Sequence, residues 1–261
     1  MGLEVIIGLI FFGLVVGFTG TLIGAGGGFL IMPAFLIFYQ DKGPTVLTAV
    51  SLAVVCANAI SGSIAYAKMR RINYRAGLLF ALAAVPGAIA GALIIDYIPA
   101  KTFDILFGIT LIFVGTYLFI SVEKRLNSKQ ADAKSIPPYN VKVGMAISTV
   151  VGLLSSLLGI GGGIIHVPMM VYVLNFPVHF ATATSHFTLA IMAMTGTIVH
   201  IYQGDLSGQW PLVLILAAGV ITGAQIGAGI SQRCKSAWII KFLAIALALV
   251  GLRVMFQRLI L

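Results

Sequence analysis

Acidic side chains are scarce in this chain, with seven Asp and Glu in 261 residues against 16 Lys and Arg. All charged residues together make up 9%, far below the roughly 25% of a soluble domain. That is too few to cover a water-facing surface, so a separate soluble domain is excluded. The two cysteines, Cys56 in an apolar run and Cys234 in a basic stretch, form neither a disulfide framework nor a thiolate metal site. No GxSG or HExxH stretch occurs, and Ser155-Ser156 precede a glycine run without the context of a nucleophile. Intramembrane protease chemistry is therefore unsupported, and the chain reads as no enzyme and calls for no cofactor or metal. The alternation of a lipid-facing barrel strand is missing as well. Met1 to Gly20 has no basic residue before its apolar run and no small-residue cleavage site, so it reads as a retained segment and not a signal peptide.

What is present is apolar: 60% hydrophobic residues with a mean hydropathy of +1.09. Apolar runs fall at about 3–22, 29–39, 45–67, 76–97 and 102–121, then at 141–158, 164–174, 180–202, 210–231 and 236–257. Runs of 18 or more are candidate membrane spans, so the expected class is an all-α polytopic membrane protein in contact with lipid. The net charge of +9 does not point to nucleic acid. The basic residues cluster in short loops, where positive charge sets membrane orientation.

The run restarts after a polar linker, Ser121 to Asn140, and the restart is a repeat. Gly17–Pro33 aligns with Gly152–Pro168 at an offset of 135, with seven of 17 positions identical, five of them glycines and one proline. Thr48-Ala49 and Ser51 recur as Thr182-Ala183 and Ser185, and Gly87/Gly91 recur as Gly223/Gly227. Loop 68–75 carries Lys68, Arg70, Arg71 and Arg75, whereas its counterpart 203–209 carries only Asp205. Loop 96–104 is net acidic, whereas its counterpart 233–241 carries Arg233, Lys235 and Lys241. The sign of charge flips between copies, which predicts two inverted repeats, 1–120 and 141–261, joined by a cytoplasmic linker at 121–140. Each repeat is predicted as a glycine-broken re-entrant helix hairpin plus three transmembrane helices. The short pieces, about 16 Å long at 1.5 Å per residue, cannot cross a core of ~30 Å. Both termini then lie outside, although Arg253 and Arg258 near the carboxyl end sit awkwardly there.

Backbone broken at membrane depth is tolerated only where it is buried or lines a watery cavity, and paired broken helices mark the substrate site of secondary transporters. The short helices starting near Phe29 and Ile164 would aim free N–H groups and a partial positive charge at that site, which favours an anion. The glycines at Gly87/Gly91 and Gly223/Gly227 read instead as close helix packing. Polar residues at membrane depth are nearly all neutral donors, and the absence of carboxylates favours an anionic cargo over a cation. The candidate substrate-binding residues are Gly26, Gly27, Gly28, Ser51 and Asn58 in the first repeat. In the second they are Gly161, Gly162, Gly163, His166, Ser185 and His186. Two roles fit each histidine, a ligand or proton carrier and an ordinary interhelical hydrogen bond. Two fit each serine, a ligand and a bond back to its own helix. His179 and His200 fall near membrane edges.

The GxGGGxxxxP run in each half, Gly24–Pro33 and Gly159–Pro168, resembles the TauE/SafE family of sulfite and organosulfonate exporters across essentially the whole chain. The resemblance implies a carrier in the bacterial inner membrane for a small sulfur-containing anion: sulfoacetate first, another organosulfonate, or sulfite. A homodimer is compatible with these features. An anion channel or a carrier for another small anion, driven by membrane potential, is the rival reading.

Overall fold

The computed structural model describes residues 2–39, 41–125 and 136–231, together with Ile245. Every regular element among them is helical. The first half contains α1 (Leu3–Ile23), α2 (Gly28–Phe38), α3 (Pro44–Lys68), α4 (Tyr74–Ile94) with a 3-10 turn at Ile95–Tyr97, and α5 (Ala100–Arg125). The second contains α6 (Val141–Leu158), α7 (Gly163–Tyr172), α8 (Val178–Gln203) and α9 (Trp210–Ser231). The expected apolar runs correspond to these helices within a few residues. The run at 236–257 and the linker from 126 to 135 lie outside the described residues. Helix α5 continues past its apolar run to Arg125, because Glu, Lys and Arg are good helix formers.

Among the described residues, five helices are long and apolar enough to cross a membrane: α1, α3, α4 with its 3-10 extension, α6 and α9. The chain is thus an all-α polytopic membrane protein. Helix α8 has the length, 26 residues, but buries Thr182, Thr184, Ser185, His186 and Thr188 in its amino-terminal half. At 11 and 10 residues, α2 and α7 are half-length.

Small residues set the packing. A Cβ on Gly87 or Gly91 would strike the backbone of Thr149 or Leu153 on α6, and one on Gly223 or Gly227 would strike that of Leu14 or Phe18 on α1. These seams bring α4 against α6 and α1 against α9 backbone to backbone, as small residues at four-residue spacing do. The register also gives direction. Gly13 faces Gly219 and Phe18 faces Gly227, so numbers rise together and α1 runs parallel to α9. Gly87 faces Thr149 and Gly91 faces Leu153, so α4 runs parallel to α6. Asn73 N–H donates to Thr184 Oγ1 at 3.0 Å and Thr188 Oγ1 to the Gly77 carbonyl at 3.2 Å, so α4 also runs parallel to α8. Gly196 faces Leu52 while Gly62 faces His186, so α3 and α8 are antiparallel. Short loops make α8 and α9 antiparallel too. Helices at corresponding places in the two halves (α1 and α6, α3 and α8, α4 and α9) therefore run in opposite directions.

Candidate substrate site where two glycine turns cross

Helix α1 ends on Gly24 and α6 ends on Gly159, both in the left-handed region at φ 76° and 63°. Gly26 and Gly27 follow at φ 80° and 82°, and Gly161 at 69°. Only glycine adopts such angles without steric cost, so these residues turn the chain back. The third glycine of each run has a different task. Gly28 and Gly163 open α2 and α7, and a Cβ on Gly28 would come within 2.5 Å of the Ile160 carbonyl, while one on Gly163 would come within 2.8 Å of Ala25 Cα. The two turns thus touch through their backbones. Val55 of α3 and Leu189 of α8 each border both Gly26 and Gly161, and both lie near the middle of their helices. The turns therefore meet at mid-height of the α3–α8 pair.

Each turn is tied to the opposite half by a serine from the recurring Thr-Ala-x-Ser stretch. Ser51 Oγ donates to the Gly159 carbonyl at 2.6 Å, and Ser185 Oγ to the Gly24 carbonyl at 3.4 Å. Beyond these equivalent contacts the halves differ. Asn58 Nδ2 donates to the Gly26 carbonyl at 2.9 Å, and its Oδ1 accepts from Thr21 Oγ1 at 3.0 Å. Thr21 Oγ1 also lies 3.3 Å from His186 Nε2, and Tyr66 O–H donates to the Thr21 carbonyl at 2.7 Å. At the positions equivalent to Asn58 and His186 stand Met192 and Leu52, which cannot form such a network. The second turn is instead held by Ser155 Oγ, which accepts from Gly162 N–H at 2.6 Å. Gly162 is right-handed at φ −54°, unlike Gly27.

Of the eleven residues singled out in the sequence, all are buried, and ten gather at this crossing. His166 does not. It faces Ser148 at 3.0 Å and the ring of Phe80, and Ser148 is 11 residues before Gly159 on α6, about 16 Å along the helix axis. His200, expected near an edge, is fully buried at the end of α8 with its Nδ1 2.7 Å from Asp205. That edge is closed by two further contacts, Lys42 to Gln209 at 3.0 Å and Gln203 to Asp96 at 2.6 Å. Thr21, Tyr66 and Ser155 were not among the candidate residues.

The crossing presents N–H groups at the starts of α2 and α7, which have no intrahelical acceptor, whereas the Ser51, Ser185 and Thr21 hydroxyls already donate within the protein. Among the described residues no carboxylate belongs to it. Such a set receives an anion's oxygens without a fixed buried charge. Polytopic helices, broken twice at mid-height around neutral donors, are the features of a membrane transporter. The chain matches the TauE/SafE sulfite exporter family over residues 9–254 and belongs to it. It is 32% identical over 266 residues to a probable membrane transporter of Bacillus subtilis, YunE, covering 95% of this chain and 97% of that one. A probable membrane transporter of Methanocaldococcus jannaschii is 28% identical, covering 94% and 93%. The Escherichia coli K12 protein YfcA, also a probable membrane transporter, is 22% identical, covering 86% and 80%. No solved structure matches.

Proposed function

We propose that this transporter exports a small sulfur-containing anion from the cytoplasm by alternating access around the glycine crossing. The cargo is sulfoacetate or a related organosulfonate, or sulfite. One observation carries the reading: two helix amino termini, one from each half, converge on a carboxylate-free crossing. The family description supports sulfur oxyanions as the cargo. The opposite running of corresponding helices supports two inverted units, 1–120 and 141–261, about a cytoplasmic linker at 121–140. With the loop charges it supports a protein of the bacterial inner membrane whose termini face outward.

An inside-negative potential drives an anion outward by ~2.3 kcal/mol per charge per 100 mV, so export does not require a coupled ion. The rival reading is a channel, which needs a continuous aqueous path. Backbone-to-backbone closure of the two turns favours the carrier, because cargo passes only when the turns separate. Proteoliposomes loaded with sulfoacetate, sulfite or sulfate test both readings. Saturable efflux with counterflow, abolished by Gly163→Val in protein that still elutes as a single species, is expected. Flux that does not saturate favours the channel, and no flux of any sulfur oxyanion refutes the assignment.

A further inference from the structure

A second feature lies away from the crossing. Helices α5, α6 and α7 enclose a groove of about 540 Å³, lined by Ile109 and Phe113 on α5, Ala146 and Val150 on α6, and Ile165 and Met169 on α7. Its volume lies in the range of ligand pockets, about 300–1,000 Å³. The one hydroxyl on its wall, Thr110 Oγ1, donates to the Leu106 carbonyl of its own helix at 2.8 Å and offers the groove nothing polar. Phe113, Val150 and Ile109 are more than half exposed, so in a bilayer this wall faces hydrocarbon. At the amino-terminal end of α6 stands Lys142, exposed. It lies four and eight residues before Ala146 and Val150, on the same helical stripe. Residues 136–158 contain no acid to neutralise it.

We propose that the groove holds an acyl chain of an anionic phospholipid whose phosphate pairs with Lys142. An apolar slot with a cation one turn beyond its end matches such a lipid in both parts. A neutral lipid would leave the lysine unused, and a free anion would leave the slot unfilled. The chain would lie along α7 beside Pro168 and so bear directly on the re-entrant element of the second half.

The test uses the full-length protein in neutral detergent, titrated with phosphatidylglycerol or phosphatidylcholine and followed by native mass spectrometry. Phosphatidylglycerol is expected to bind in preference. Lys142→Gln is expected to lower its affinity about fivefold, the order associated with one lysine near an anionic headgroup, leaving phosphatidylcholine unchanged. Ala146→Trp, which fills the slot, is expected to abolish retention of both. A photoreactive residue at position 150 in native membranes gives a readout independent of the folding of that variant. An adduct of lipid mass supports the proposal. Cross-linking to a second copy or to residues 232–261 overturns it, as does equal binding of the two lipids by the unmodified protein or undiminished binding by Ala146→Trp.

Discussion

Replacing Asn58 by leucine removes a side chain that joins the first glycine turn to Thr21, at nearly constant volume. The buried Gly26 carbonyl loses its Asn58 donor, while the Thr21 hydroxyl is left with His186 Nε2, 3.3 Å away. Interhelical hydrogen bonds within membranes average ~0.6 kcal/mol and reach ~1.7, since an unfolded helix in lipid also finds partners. Here the stranded Gly26 carbonyl is buried and held in place, and an orphaned buried polar group costs ~1–3 kcal/mol. A loss of about 1–3 kcal/mol follows, or roughly 2–12 °C in the unfolding temperature of a chain this size. The internal repeat supplies its own control: Met192→Leu, at the equivalent position of the second half, is volume-conserving and should cost less than ~1.5 kcal/mol. Thermal unfolding of both variants in the same detergent, with sulfoacetate efflux alongside, measures the difference. Equal unfolding temperatures would mean that Asn58 braces nothing, and the asymmetry of the two turns would lose its physical basis.

Other outcomes follow from the same geometry. Gly28→Ala drives a methyl into the Ile160 backbone and should abolish efflux and lower yield. Gly229→Ala, with open space around it on exposed α9, should leave efflux intact and raise stability by up to ~1 kcal/mol. Ser51→Ala, losing a 2.6 Å bond, should lower the unfolding temperature more than Ser185→Ala, whose bond is 3.4 Å long; the reverse order would show that the two ties are not ranked by length. In a background lacking Cys56 and Cys234, Arg70→Cys should be labelled by an impermeant thiol reagent only from the cytoplasmic face, and Ser207→Cys only from outside. Labelling of both from one face would refute the opposed orientation of the two units.

Much of this was legible in the sequence because it rests on local chemistry. Glycine runs end helices wherever they stand, so the breaks at Gly24 and Gly159 could be read directly, and half-length helices followed from the count of apolar residues after them. Small residues repeating every fourth position announced the seams at Gly87/Gly91 and Gly223/Gly227. The polar network at the first turn was less visible. Thr21 meets Asn58 from 37 residues away and His186 from 165, and no periodicity links such positions. Comparison within the repeat also hides them, because Asn58 and His186 face Met192 and Leu52 at the matching places. His166 shows a related limit: its backbone N–H bonds the Gly162 carbonyl beside the triple glycine, while one helical turn aims its ring at Ser148 and Phe80, the interhelical role the sequence left open.

The seams that pair α1 with α9 and α4 with α6 have a consequence for how such a chain could arise. Each half leaves a bare strip of glycine backbone that only the other half covers, so neither is a finished object. A primordial gene for one unit would have yielded a usable protein only if its product entered the bilayer in both senses and two products then interlocked. Joining two such genes head to tail would supply both senses in equal number from a single polypeptide.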